Sequence, residues 1–189
     1  MAGELVEIKV DDVKLRRVER MLRGFPKAMP KVMSRAVNRT ATSAKTETAR
    51  KIAAEISLKV SDVKKTIYIK KASYLRWLAQ LGISSSRIPL KMFKARQTKK
   101  GVSYKIGAKR KFIKSAFMAT MSSGHIGVFK RLGKFRLPIA ELFGPSLGIV
   151  FEESGSIAKD VTESAYKMLG RNIDDQVALV LKRMKGAAA

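Results

Sequence analysis

Residues 30–56 read PKVMSRAVNRTATSAKTETARKIAAEI. Met33, Ala36, Val37, Thr40, Ala44, Thr48, Ile52 and Ile56 recur three and four apart, the spacing of one helical face. The stretch is therefore predicted to be a single helix, roughly 40 Å long at 1.5 Å per residue. Threonines and serines around Asn38–Thr48 lower helix propensity without breaking the phase. A thin seam of small residues on a helix longer than a compact domain needs implies a neighbour. It either docks on its own domain or also lines a subunit contact.

Working outward, Glu4 to Val10 alternates as an opening strand, with Leu5, Val6, Ile8 and Val10 as its apolar members. A short amphipathic helix follows from Asp12 to Arg23. Asp11 or Asp12 offers an N-cap oxygen, and Gly24 before Pro26 supplies the stop. After the long helix, Ser61 and Asp62 cap a short helix ending near Thr66. There the period changes from helical to alternating. Ile67 to Ile69, Tyr74 to Ile83, Ile88 to Phe93, Val102 to Gly107, Phe117 to Met121 and Ile126 to Lys130 read as strands. In the second of these, Leu75, Trp77, Ala79 and Leu81 share one face. The basic runs from Arg96 and from Ala108 read as loops between strands, and Gly101, Gly107, Gly124, Gly127, Gly133, Gly144 and Gly148 as turn glycines.

Beyond a Pro and Gly cluster at 137–148, Val161, Ala165, Met168, Leu169, Ile173, Val177, Val180, Leu181 and Met184 restore a helical stripe from about Ile157 to Met184. Gly170 is a possible interruption, and the Gly-Ala-Ala-Ala end is expected to fray. The expected fold is α+β: a central basic sheet, antiparallel or mixed, with a long N-terminal helix and a C-terminal helix over one side. At 189 residues one structural domain is the default. It has a mostly helical part (4–66), a basic β-rich core (67–150) and a terminal helix (157–184).

Composition narrows the function. Forty Lys and Arg against fifteen Asp and Glu give a formal charge of +25. The layout matters more than the total, because Val63 to Ala140 holds 20 basic residues and no acid. Such a field attracts nucleic acid, an anionic membrane or an acidic protein. With 46% hydrophobic residues the chain does not fit the disordered class. No apolar run approaches a membrane span, and MAGELVEIKVDD carries acids where a signal peptide carries basic residues.

Zero cysteines exclude disulfides, thiolate nucleophiles and Cys-containing zinc sites. The single histidine, His125, sits between glycines with no acid near it in sequence, and reads as structural or exposed. Glu152 and Glu153 are adjacent, so they do not face one another as an acid and base pair need to. Neither a phosphate-binding loop nor a dinucleotide fingerprint is present. The reading is a non-enzyme without cofactors or metal.

Basic side chains interleaved with Phe112, Phe117, Phe129 and Phe135 suit a surface on which a phosphate backbone lies and bases stack. The plainer reading of Phe117 and Phe129, inside strand-like windows, is core. Nothing matches a helix-turn-helix or a zinc finger, so any DNA contact is expected to be sequence-independent and salt-sensitive. Between Arg96 and Lys111, the seven cations Arg96, Lys99, Lys100, Lys105, Lys109, Arg110 and Lys111 have no local acid. The stretch is expected to contain one or two mobile basic loops that meet a polyanion, either an acidic protein or DNA.

Four segments in order carry a family pattern: RIPLKMFKARQTKKGVSYKIG from Arg87, FIKSAF from Phe112, GHIGVFKR from Gly124, and RLPIAELFGPS from Arg136 to Ser146. With SLKVSDVKKTI from Ser57, the stretch from about Met29 to Phe151 resembles the phage minor tail protein Z family, the tail completion proteins of long, flexible-tailed phages and prophages. The resemblance implies a virion component, made in the host cytoplasm, that acts at the head-proximal end of the tail in head–tail joining. It implies a ring-like homo-oligomer with sixfold symmetry. The implied partners are tail terminator or tube proteins, the tape measure protein and the head–tail connector, with no membrane partner. The family pattern brings no catalytic residues. In the Pro and Gly segment, Leu137, Ile139, Leu142, Phe143 and Pro145 are either a hydrophobic plug or intersubunit anchors.

Overall fold

The computed structural model describes residues 4–187; Ala188, Ala189 and the side chains of Leu5 and Met184 lie outside the described residues. In chain order, β1 (Glu4–Lys9) leads through α1 (Asp12–Met21) and a single 3-10 turn to α2 (Met29–Ile56), α3 (Val60–Thr66), β2 (Ile67–Lys70) and β3 (Leu78–Ile83). Then come β4 (Arg87–Pro89), β5 (Arg96–Thr98), β6 (Gly101–Ile106), β7 (Lys109–Lys114), β8 (Ala116–Thr120) and β9 (Ile126–Arg131). The chain ends with β10 (Ile139–Glu141), β11 (Phe143–Ser146), α4 (Leu147–Glu153) and α5 (Ser156–Ala187). The α+β class holds, with the strands divided among four small antiparallel sheets.

These elements group into two compact units that do not follow chain order. Of the described residues, the terminal unit takes 4–48, Ile67–Ile83 and 154–187; the central unit takes Ala49–Thr66 and Ser84–Glu153.

In the terminal unit the sheet runs β1-β3-β2. Its register pairs Val6 with Leu81, Ile8 with Ala79 and Ile67 with Ile83. Residues directly opposite one another share a face, so all six side chains point the same way, and all six are buried. Asp11 caps α1 by accepting from the Lys14 backbone N–H at 2.7 Å. The Lys14 side chain and backbone hydrogen bonds hold the Asp11 carboxyl below its usual range. This part of the cap's stability is present above the unfolded carboxylate range and is lost as pH falls through the lowered value.

Along α5, Val161, Ala165, Leu169, Ile173 and Val177 form a buried stripe, and the helix runs through Gly170 without interruption. Three contacts between α2 and α5 set the two helices antiparallel. Asn172 Nδ2 donates to Thr40 Oγ1 at 2.9 Å, Ser164 Oγ donates to Glu47 at 2.8 Å, and Arg39 pairs with Asp175 at 3.4 Å. The threonines that weaken α2's propensity are absorbed locally. Thr40, Thr42, Thr46 and Thr48 each donate to the carbonyl four residues back.

Thr40 is fully buried and serves both bonds, giving its proton to Ala36 O and taking one from Asn172. Thr40→Val strands the buried Asn172 amide and is expected to cost about 1–3 kcal/mol. The pair Thr40→Val with Asn172→Leu is expected to recover much of that loss, because both partners are then apolar. Denaturant midpoints at unchanged slope measure it, and a neutral Thr40→Val would show that the bond contributes nothing.

Several expected strands change. Tyr74 to Arg76 is a turn in which the Ser73 backbone N–H donates to Arg76 O and Trp77 Nε1 to Tyr74 O. Leu75 is consequently 99% exposed and does not join Ala79 and Leu81 in the core. Of the window Ile88 to Phe93 only Ile88 and Pro89 are strand, because the chain then bends through a 3-10 turn at Leu90–Met92. That bend carries Phe93 into the interior of the central unit, where it is fully buried.

In the central unit the three sheets run β10-β9-β8, β11-β4 and β5-β6-β7. Leu142 stitches two of them, donating its N–H to Val128 O at 2.8 Å and accepting from the Leu90 N–H at 3.0 Å. Three of the expected turn glycines sit inside strands and one in a helix. Gly101 is in β6, Gly127 in β9, Gly144 in β11 and Gly148 in α4. Close approach explains the first three. A Cβ at Gly101 would strike the Ile113 carbonyl oxygen, one at Gly127 would lie 2.6 Å from Glu141 Oε1, and one at Gly144 would strike the Phe93 ring.

Candidate functional site

The basic stretch is a three-stranded meander, not a pair of loops. Arg96 pairs with Ser103, and Ser103 in turn with Phe112; Lys105 pairs with Arg110 and Ile106 with Lys109. Two-residue turns at Lys99-Lys100 and Gly107-Ala108 join the strands, and Gly107 takes a left-handed φ of 61°. Strands joined by tight turns can satisfy their backbone groups in a ladder, which mobile loops would leave to water.

The register sorts the seven cations. Arg96, Lys105 and Arg110 share one face of the meander with Lys114 and Phe112, while Lys109 and Lys111 share the other with Val102, Tyr104, Ile106 and Ile113. Lys99 and Lys100 sit at the turn. The second face holds the buried Val102, and its Gln97 Oε1 accepts from the Met118 backbone N–H of β8 at 2.7 Å. The first face is therefore the outward one. Among the described residues none of these cations has an ion-pair partner. Phe112, expected among the basic side chains, belongs to this surface, and Lys114 joins it although the sequence reading left it out. The missing signal is strand parity, which appears once Lys109–Lys114 is recognised as β7.

The Pro and Gly segment is also more regular than expected. After the cis peptide Leu137–Pro138 it forms β10 and β11. β10 pairs with β9 to close a hairpin whose tip, Leu132–Pro138, is tied by the Leu132 N–H to Pro138 O at 3.1 Å. None of Leu137, Ile139, Leu142, Phe143 and Pro145 is buried within the chain, and Leu137 is 66% and Phe143 47% exposed. Leu132 and Phe135 on the tip are more exposed still, Phe135 at 83%. Phe143 and Pro145 line an open groove of about 590 Å³ with Arg87, Ile149 and Glu152.

Of the two strand phenylalanines, Phe129 is buried as expected. Phe117 is only half-buried, and the Arg131 guanidinium lies 5.2 Å from its ring centre. His125 does meet an acid. Its Nε2 lies 2.9 Å from Glu141 Oε1, sixteen residues on, and its ring stands edge-on to Phe129. Gly127 gives the Glu141 side chain room to cross β9. The pair ties β10 to the turn before β9. Glu152 and Glu153 are exposed neighbours on α4. Among the described residues no three acids or histidines gather at metal-binding distance, and no helix is long and apolar enough to cross a membrane.

The family profile described as prophage minor tail protein Z (GPZ) matches residues 14–183. The chain belongs to the prophage minor tail protein Z family. Membership gives it a structural role in the phage tail and a place in the virion, among other tail components. It is a family of structural proteins, not of known enzymes. Neither a curated protein nor a solved structure matches the chain. Among the described residues, the meander face exposes Phe112 among cations, and the hairpin with its neighbouring groove exposes Leu132, Phe135, Leu137 and Phe143.

Proposed function

We propose that the chain completes the tail at its head-proximal end, where the tube meets its terminator and then the head, and that it acts there as a ring of identical subunits. Six copies follow from the family context, and the tape measure protein and head–tail connector are the further neighbours. The observation that carries the reading is the exposure of the hairpin tip and of Phe143 in the separate chain. A closed ring uses head-to-tail contacts, which need two different complementary surfaces on each copy. The tip offers Leu132, Phe135 and Leu137 with the cations Lys134 and Arg136. The groove offers Phe143, Pro145 and Ile149 with Glu152 at its edge. Apolar anchors inside a charged rim are the makeup of a specific interface.

Phe143→Ala and Phe135→Asp are each expected to leave the melting temperature of the isolated chain within a few degrees of the parent, since neither side chain is core. Both are expected to abolish oligomers in sedimentation and to yield tails that do not join heads. Several kcal/mol lost from the monomer with Phe143→Ala would return that ring to the role of a core plug. Tails lacking the chain that nonetheless join heads would overturn the assignment to head–tail joining.

A further inference from the structure

The outward face of β5–β6–β7 has a composition that protein packing does not explain. Phe112 stands in the middle of it, 51% exposed. Its neighbours along β7 on the same face are Arg110 and Lys114, two residues and about 7 Å away on either side. Across the sheet lie Ser103 and then Arg96, with Lys105 opposite Arg110. No apolar side chain shares this face with the ring. The ring leans over Gly101, whose missing Cβ would lie 3.0 Å from Phe112 Cζ. A glycine beneath an aromatic leaves a flat ring with its far side open. Arg110 Nη1 donates to Ser103 Oγ at 2.8 Å, which holds one guanidinium beside the ring.

We propose that this face binds single-stranded nucleic acid, with a base stacked on Phe112 and the backbone phosphates held by Arg96, Lys105, Arg110 and Lys114. The proposal does not depend on the ring assembly, which uses the hairpin and groove. Four unpaired cations with no acid between Val63 and Ala140 supply the complement to a polyanion. The aromatic decides which polyanion. A duplex presents phosphates but keeps its base faces stacked inside, so it has nothing to lay on Phe112. An acidic protein surface matches the cations, but a protein anchor is set among other apolar groups and fills a pocket. A lone flat ring between cations is the arrangement that unstacked bases use, and it tolerates any sequence because every base has a π-face.

The test measures anisotropy of a labelled twelve-residue oligothymidylate, a twelve-base-pair duplex and a labelled polyglutamate peptide with the full chain. Phe112→Ala is expected to weaken oligothymidylate binding roughly 5- to 150-fold, the loss of one stacked base, and to leave polyglutamate binding unchanged. Phe112→Trp is expected to restore it, which separates stacking from any disturbance of the meander. Arg110→Ala with Lys114→Ala is expected to weaken both ligands and to lower the salt slope for oligothymidylate by about 1.4, near 0.7 for each phosphate contact. Equal losses on oligothymidylate and polyglutamate with Phe112→Ala would assign the face to an acidic protein. No loss on oligothymidylate, or tighter binding of the duplex, would also overturn the proposal.

Discussion

Phe93→Ala is expected to destabilise the central unit by about 3–5 kcal/mol, the range for removing a fully buried phenylalanine ring. The ring has no exposed surface and Gly144 packs against it without room for a Cβ. The backbone at Phe93 is committed as well, since its carbonyl accepts the Lys105 N–H at 2.8 Å and its N–H donates to Leu90 O. The neighbourhood therefore cannot close freely over the space left by the ring. Chemical denaturation followed by the fluorescence of tyrosines placed in the central unit, or hydrogen exchange in β6 and β9, reads the effect. A loss below about 1 kcal/mol would mean that the site collapses, so that Phe93 is not the pivot of these sheets. The contrast with Phe143 is the informative part. Two phenylalanines fifty residues apart in one unit are expected to separate fully, one acting on stability and the other on assembly.

Leu169→Ala is expected to cost the terminal unit about 2–5 kcal/mol. Leu169 is the middle of the buried stripe on α5, with Ala165 and Ile173 a turn away on either side. Ten residues on, Leu179 is 45% exposed on the same helix, and Leu179→Ala is expected to change stability by no more than about 0.5 kcal/mol. Both substitutions keep helix propensity nearly constant, so their difference isolates burial. Equal effects in thermal or denaturant unfolding would show that the α5 stripe is not what holds the terminal unit.

The helices were legible because their evidence is local. The seam of α2, the cap at Asp11 and the four-residue stripe of α5 each lie within one or two turns of chain. The seams turn out to be consumed within the chain: Met33, Ala36, Val37, Thr40 and Ala44 are all buried. Strands were legible as alternation, but alternation does not say where pairing stops. Leu75 continues the parity of Ala79 and Leu81, yet the chain leaves the sheet before it, because β1 and β2 reach only Leu78 and Gln80 of β3. The cations from Arg96 to Lys111 read as loops because hydrophobic content was low. The ladder that orders them carries the buried Val102 and the half-buried Ile113 on one face and ties that face to β8 through Gln97, contacts that propensity does not report.

By itself, the sequence determined the helical spans, the absence of a thiol, the crowding of positive charge between Val63 and Ala140, and membership of a tail protein family. Each of these is a property of composition or of neighbours along the chain. Only the tertiary structure decided that Arg96, Lys105, Arg110 and Lys114 surround Phe112 while Lys109 and Lys111 turn away, that Glu141 reaches His125, and that Phe143 stays uncovered while Phe93 does not. The physical reason is that a period of two offers two faces and no rule for choosing between them. The choice is made by whichever distant element meets one face, and here the side with the buried Val102 meets β8 through Gln97 while Arg96, Lys105, Arg110 and Lys114 are left on the other.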